Sequence, residues 1–438
     1  MNSSFNAIPL PFPQAFSRRD KKLRTILVPN LSPAFAKISC AIFKRFGFRA
    51  IVLPLADATA KALGKKYVHN DICYPAQINI GECIAYIREH NLDPARTAIA
   101  LAKNCKDCRA GQYAVLARKA LDDAGLGAVA IVTVGEDTKK MHPGFSVSWK
   151  YALKMLKGLF LIDSLEKMRL SVRPYETVRG ETDKVYEKCL DLLAETIEKR
   201  PADLYKLLAC SVEQFNKIPV DRSVPKPRVF IIGEILMNYH ETANNGIVRY
   251  LEKNGLEVVL PDFITFFERD VIVNRAAIRK KLVKHPLIES IIASITKAAY
   301  DHVARSTEKV MQKFNYTEPK VPIEKLASHI DGMVERTHTV GEGWLIPAEI
   351  IEQASHGVRA FIVIQPFGCL PNQVTGKGLI PSLKRKLGDI HIISLDYDAD
   401  TSMANIENRL QMLVMAIRES YRKGERGEGD EYRISNNE

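Results

Sequence analysis

The sequence predicts an α/β fold: two Rossmann-like lobes on mostly parallel sheets, joined by a helical connector or cap. Three observations predict it. Short apolar runs alternate with helix-length patterns over residues 23–140, and again over 225–422. Strand signals vanish from about Ser148 to Ile218, within the connector spanning 141–224. The chain has 438 residues, 46% of them hydrophobic and 26% charged, enough to build more than one buried core.

In the first lobe, Thr25-Ile-Leu-Val-Pro29 reads as a strand, Ala34 to Phe46 as a helix stopped by Gly47, and Ala50-Ile-Val-Leu53 as a second strand. Pro75 to His90 reads as helix, Thr97 to Ala102 as strand, Gly111 to Ala124 as helix, and Ala128 to Thr133 as strand. The connector carries amphipathic helices, among them Thr182 to Glu198 and Asp203 to Phe215. The second lobe opens after Pro225-Lys-Pro227 with strand Arg228 to Ile232, helix Thr242 to Asn254 and strand Glu257 to Leu260. A helix-rich insertion, Arg275 to Phe314, follows. Strand Ala360 to Ile364, a helix near Gln373 to Leu387, strand Ile390 to Ser394 and helix Ser402 to Tyr421 close it. Residues 1–22 read as a loose leader and 423–438 as a charged, disordered tail.

Lys and Arg number 63 against 51 Asp and Glu, a net charge of +12 that favours acidic partners. The basic runs Arg18-Arg19, Arg279-Lys280-Lys281 and Lys384-Arg385-Lys386 lie apart without interleaved aromatics. They read as solvated helix faces, so a nucleic-acid surface is not expected. No apolar stretch approaches the ~20 residues of a membrane span. Met1 to Phe16 lacks the pattern of a secretory signal, so the expected location is cytoplasmic. The chain contains no P-loop, GxGxxG, HExxH or GxSxG motif, and so no visible means of hydrolysing ATP by itself.

Eight cysteines in such a chain point to thiolate or metal chemistry rather than a disulfide framework. Cys40, Cys83, Cys189 and Cys210 have apolar helical neighbours and read as small buried hydrophobes. Cys73, Cys105, Cys108 and Cys369 differ: three separate segments place a thiol between a strand and a helix start. Ligands bind at that edge of an open sheet. Unpaired N–H donors and the helix dipole there favour a thiolate. By itself Cys105-x-x-Cys108 admits half a zinc site, a redox pair or coincidence. Glu234, just past a strand of the second lobe, is a substrate-contact candidate or a plain loop carboxylate.

Five ordered motifs carry a resemblance. They are Asp71-Ile-Cys-Tyr-Pro75; Cys108-Arg-Ala-Gly-Gln-Tyr113; Arg173-Pro-Tyr-Glu176 with Gly180-Glu-Thr-Asp183; Gly233-Glu-Ile235 with Ala243-Asn244; and Pro366-Phe-Gly-Cys-Leu-Pro371. From about Leu23 to Arg418 the chain resembles the 2-hydroxyacyl-CoA dehydratase/benzoyl-CoA reductase superfamily. Within it, the chain is most similar to CoA-substrate-specific activase-related proteins that lack the ATPase domain. The resemblance implies a [4Fe-4S] or related iron–sulfur cluster on Cys73, Cys108 and Cys369, with Cys105 a spare or additional ligand. Three thiolates would leave one iron of four open. It further implies low-potential one-electron transfer to, or reductive dehydration of, an acyl-CoA-like small molecule, served by a separate ATP-dependent activase. A homo- or hetero-dimer is compatible with it. The sequence departs from the family at Leu236, Met237 and Asn238, where relatives carry an aromatic residue and an Arg. Two alternatives stand beside this reading: a non-catalytic iron–sulfur or metal carrier or assembly partner, and a basic α/β ligand- or nucleic-acid-binding protein with incidental cysteines.

Overall fold

Two four-stranded sheets, each wholly parallel, carry the fold. The structure is a computed structural model and describes residues 16–69, 72–102, 108–134, 142–145, 149–199 and 203–425. In the first sheet β1 (Thr25–Val28), β2 (Arg49–Val52), β3 (Thr97–Ala102) and β4 (Ala130–Val134) lie in the order β2-β1-β3-β4. In the second, β5 (Arg228–Gly233), β6 (Glu257–Val259), β7 (Ala360–Pro366) and β8 (His391–Tyr397) repeat that winding as β6-β5-β7-β8. The central strands are aliphatic on both faces, as strands covered by helices on two sides must be. Ile26 sits opposite Ala50 and Ala98, and Ile362 opposite Ile231 and Ile393.

After β1, Ser32 caps α2 (Pro33–Arg45) by accepting from the Phe35 N–H, and Pro33 occupies the first turn. A helical hairpin then intervenes before β3: α3 (Ala58–Tyr67), capped by Asp57, and α4 (Tyr74–Glu89). The two cross at glycines. A Cβ on Gly64 would lie 2.1 Å from the Gln77 carbonyl oxygen, and one on Gly81 2.1 Å from that of Ala60. This crossing holds the first turn of α4 against the rest of the lobe. It also corrects the sequence reading, which has no α3 and so places Cys73 near the end of a strand. Helix α5 (Tyr113–Asp123) connects β3 to β4.

The connector is α6 (Trp149–Val172), α7 (Glu181–Lys199) and α8 (Leu204–Asn216). They share one core with α2 and the first sheet, which includes Ile38, Ile42, Leu165, Leu193 and Phe215. Phe16 is fully buried there against Phe48 and Phe145, so the chain is already held ahead of α1 (Asp20–Leu23). Cys40, Cys83 and Cys189 are buried as expected, but Cys210 is exposed on α8. It faces away from the stripe Leu208, Ser211, Val212 and Phe215 that packs inward.

The second lobe adds α9 (Ile235–Tyr239), α10 (Ile247–Lys253), α11 (Thr265–Arg279), α12 (Pro286–Met311), α13 (Ile323–His329), α14 (Leu345–Ser355), α15 (Ile380–Leu387) and α16 (Met403–Glu425). The helix expected from Thr242 begins only at Ile247, because Asn245 and Gly246 take left-handed φ of +57° and +66°. The stretch 372–379 winds as one π turn and one 3₁₀ turn before α15. Tyr74 and Ile78 of α4 pack into the second lobe's core with Leu236 and Ile364, so the two lobes meet along α4. Among the described residues no helix is long and apolar enough to cross a membrane.

Candidate functional site at the meeting of the two sheets

Both sheets turn their carboxyl ends toward the seam between the lobes, and the singled-out residues gather there. Cys73 is the N-cap residue of α4, and Cys108 heads the 3₁₀ turn Arg109–Gln112 that follows β3. Glu234 follows β5 as N-cap of α9, and Cys369 follows β7. In each sheet the chain leaves one central strand, visits one edge and returns to the other, which opens a crevice between β1 and β3 and between β5 and β7.

Shared neighbours show the convergence. The Tyr113 hydroxyl donates to the Cys73 Sγ at 3.0 Å, and both Cys73 and Cys108 act electrostatically on that hydroxyl. Arg109 Nη1 donates to the Ile72 carbonyl at 3.1 Å and lies 3.7 Å from where a Cβ on Gly368 would sit. It therefore spans the residues preceding both Cys73 and Cys369. The carboxyls of Glu234 and Glu342 act on both of those thiols. Asn372 Nδ2 donates to the Cys369 Sγ at 3.1 Å and to Glu342 Oε2 at 3.0 Å, while Glu342 Oε1 accepts from the Ile235 N–H at 2.9 Å. Phe367, Leu370 and Val374, in the same segment as Cys369, are exposed apolar side chains.

Burial pushes the Cys73 thiol up to about 12; Glu234 adds to the rise, and the Tyr113 hydrogen bond and Arg109 oppose it. Burial and then Glu342 likewise push Cys369 up, against the Asn372 hydrogen bonds. The helix starts do not yield the lowered thiols that the sequence suggests, because burial and two carboxyls outweigh them. Glu234 is itself raised by burial and by Glu342, against the N–H groups of Met237 and Leu236. Glu342 is raised by burial and held back by its hydrogen bonds, including those from Ile235 and Asn372. Two acids placed so close do not both ionise readily, and the pair titrates as a unit.

Polar ties lock the lobes around this seam. Buried Glu82, on α4, accepts from the Asn30 and Ala56 N–H groups, each at 3.0 Å. It also accepts from His240 Nε2 at 2.9 Å, while His240 Nδ1 accepts from the Ala243 N–H. One carboxylate thus ties the helix headed by Cys73 to the end of the helix headed by Glu234. Lys61 Nζ donates to the Thr242 carbonyl, and Lys65 pairs with Asp400. The motif around Arg173 makes a second weld. Arg173 donates to both Glu252 oxygens and to Asp183, which also accepts from Arg169 and Arg249. Glu176 accepts from the N–H groups of Gly180 and Thr182, starting α7. These residues hold the connector to the second lobe rather than face the thiols.

Cys73, Cys108, Glu234 and Cys369 are thus brought to one region, while Cys105 lies outside the described residues. Tyr113, Asn372 and Glu342 belong to the same region and were not singled out. Glu342 carries a visible signal, since it stands between two glycines of left-handed φ, Gly341 at +54° and Gly343 at +57°. An iron–sulfur cluster, implied by the resemblance, is matched in kind by three thiols, two of which already accept hydrogen bonds, from Tyr113 and Asn372. Among the described residues no three His, Cys, Asp or Glu side chains are grouped to hold a single metal ion. One tetrahedral zinc would draw its thiolates to about 3.8 Å of each other, whereas a cluster takes them at separate irons. No family model and no curated protein matches the chain.

Proposed function

We propose that this chain is an iron–sulfur protein in which Cys73, Cys108 and Cys369 hold a [4Fe-4S] or related cluster in the seam between the lobes. It would act in low-potential one-electron transfer to, or reductive dehydration of, an acyl-CoA-like thioester, with the electron supplied by a separate ATP-dependent activase. One observation carries the reading. Thiols from both lobes, Cys73 and Cys369, remote in sequence, share the same two carboxyl neighbours. The five ordered motifs support it independently.

Bound there, a cluster supplies an electron at potentials that reach roughly −700 mV. The remaining roles belong to side chains. Tyr113 and Asn372 donate to the sulfurs of Cys73 and Cys369, the kind of contact that sets a cluster's potential. Loading requires the thiol protons to leave, so uptake is favoured as pH rises. Glu234, pushed up to about 8 by burial and by Glu342, keeps a proton beside the sulfurs and limits the negative charge that collects there. Phe367, Leu370 and Val374, exposed and apolar in the segment that carries Cys369, are suited to contact an acyl chain.

The test is iron and acid-labile sulfide per chain after anaerobic purification or reconstitution. About four of each per chain are expected, with a brown colour lost in Cys73→Ala, Cys108→Ala and Cys369→Ala. A colourless protein carrying zinc, or colour retained in all three variants, overturns the proposal. Turnover of acyl-CoA thioesters with a purified activase then separates an enzyme from a carrier.

A further inference from the structure

The outer half of α12 buries only Ala293, although apolar residues surround it. Leu287, Ile288, Ile291, Ile292 and Ile295 are 80, 58, 60, 52 and 67% exposed, and Leu282, in the turn from α11, is 67% exposed. Leu287, Ile291 and Ile295 recur every four residues with Ile288 and Ile292 alongside, forming one continuous stripe over three turns. A soluble monomer rarely leaves an apolar patch above a few hundred Å² in water. All six side chains are more than half exposed, and a stable dimer draws about 800 Å² from each partner.

We infer that a second copy of this chain covers the stripe, through an antiparallel α12–α12 contact about a two-fold axis. Six contiguous, largely exposed aliphatic side chains are enough to form the apolar centre of such a contact. Between Pro286 and Thr296 the only charged residue is Glu289, so the middle of the stripe laid on itself buries almost no charge, while Lys281 and Lys284 beside Leu282 fall at its solvated rim. A two-fold contact uses the same patch on both copies and hides both at once, leaving no open end to recruit a third. Aliphatic residues at three- and four-residue spacing interdigitate in this way when helices cross at about 20°. None of the thiols or acids at the seam lies on this hairpin, so the dimer stands or falls separately from the iron–sulfur reading.

The test is sedimentation velocity of the full chain over about 1 to 50 µM. The expected species is twice the 49.2 kDa protomer, with dissociation at the low end of the range. Ile291→Glu with Ile295→Glu is expected to give a 49.2 kDa monomer throughout, with unchanged circular dichroism and the melting temperature of wild type diluted to its monomer. Ile288→Lys serves as an independent variant with the same expected result. A wild type that is monomeric at the highest concentration overturns the proposal, as does a dimer that survives both variants. Self-association appearing only after removal of residues 1–15 would assign the stripe to that segment and overturn it too.

Discussion

Replacing Asp183 with Asn removes one charge from the centre of the weld between connector and second lobe, while keeping its shape. Partial burial alone would raise this carboxyl, but Arg169 and Arg173, with the hydrogen bond from Arg249, outweigh it and hold it down to about 2. Measured from its ordinary 3.8, that displacement corresponds to about 2 kcal/mol of folding stability at pH 7. The side chain is only 27% exposed, so solvent screens the interaction incompletely. The group's folded value lies below its unfolded one, so its contribution is present above the unfolded value. It fades as pH falls through the folded value. The gap between wild type and Asp183→Asn should therefore be constant above about pH 5 and shrink to roughly half by pH 3. Urea unfolding followed by circular dichroism, run on both proteins at matched pH, measures it. A gap below about 0.5 kcal/mol at pH 7, or one equally large at pH 3, refutes the reasoning.

Three further outcomes are expected. Glu82→Gln strips the charge from a buried acceptor of three donors and should cost about 3 kcal/mol in the same assay, with reduced iron content after reconstitution; a neutral change counts against the tie between lobes. Gly64→Ala would ordinarily gain up to ~1 kcal/mol in a helix, but a Cβ 2.1 Å from the Gln77 carbonyl oxygen should reverse the sign and lower the melting temperature. Native-state alkylation followed by peptide mass spectrometry should label Cys210 ahead of Cys40, Cys83 and Cys189; early labelling of Cys83 would contradict its packing.

The strands were legible because both sheets are parallel and covered on two faces, so each one reads as a bare aliphatic run such as Phe361-Ile-Val-Ile364. Cys73, Cys108 and Cys369 were legible as candidates because each stands in a polar or Pro-bearing segment rather than on an apolar helical stripe. Helix α3 was not, since most of its residues are polar or partly exposed, and its stability comes from the glycine crossing with α4, a tertiary contact. The truncation of the helix at Ile247 depends on two left-handed residues that periodicity does not register. Glu342 escaped because its role depends on Ile235 and Asn372, which lie 107 and 30 positions from it and which only the folded chain brings together.

The matched winding of β2-β1-β3-β4 and β6-β5-β7-β8 has a consequence for how the molecule can be taken apart. Severing the chain near Pro225 would yield two pieces of the same architecture, one bearing Cys73 and Cys108 and the other Cys369. Neither piece holds all three thiols, so any prosthetic group they bound together would act as the clasp of a split protein, and reassociation of the fragments would report on its presence.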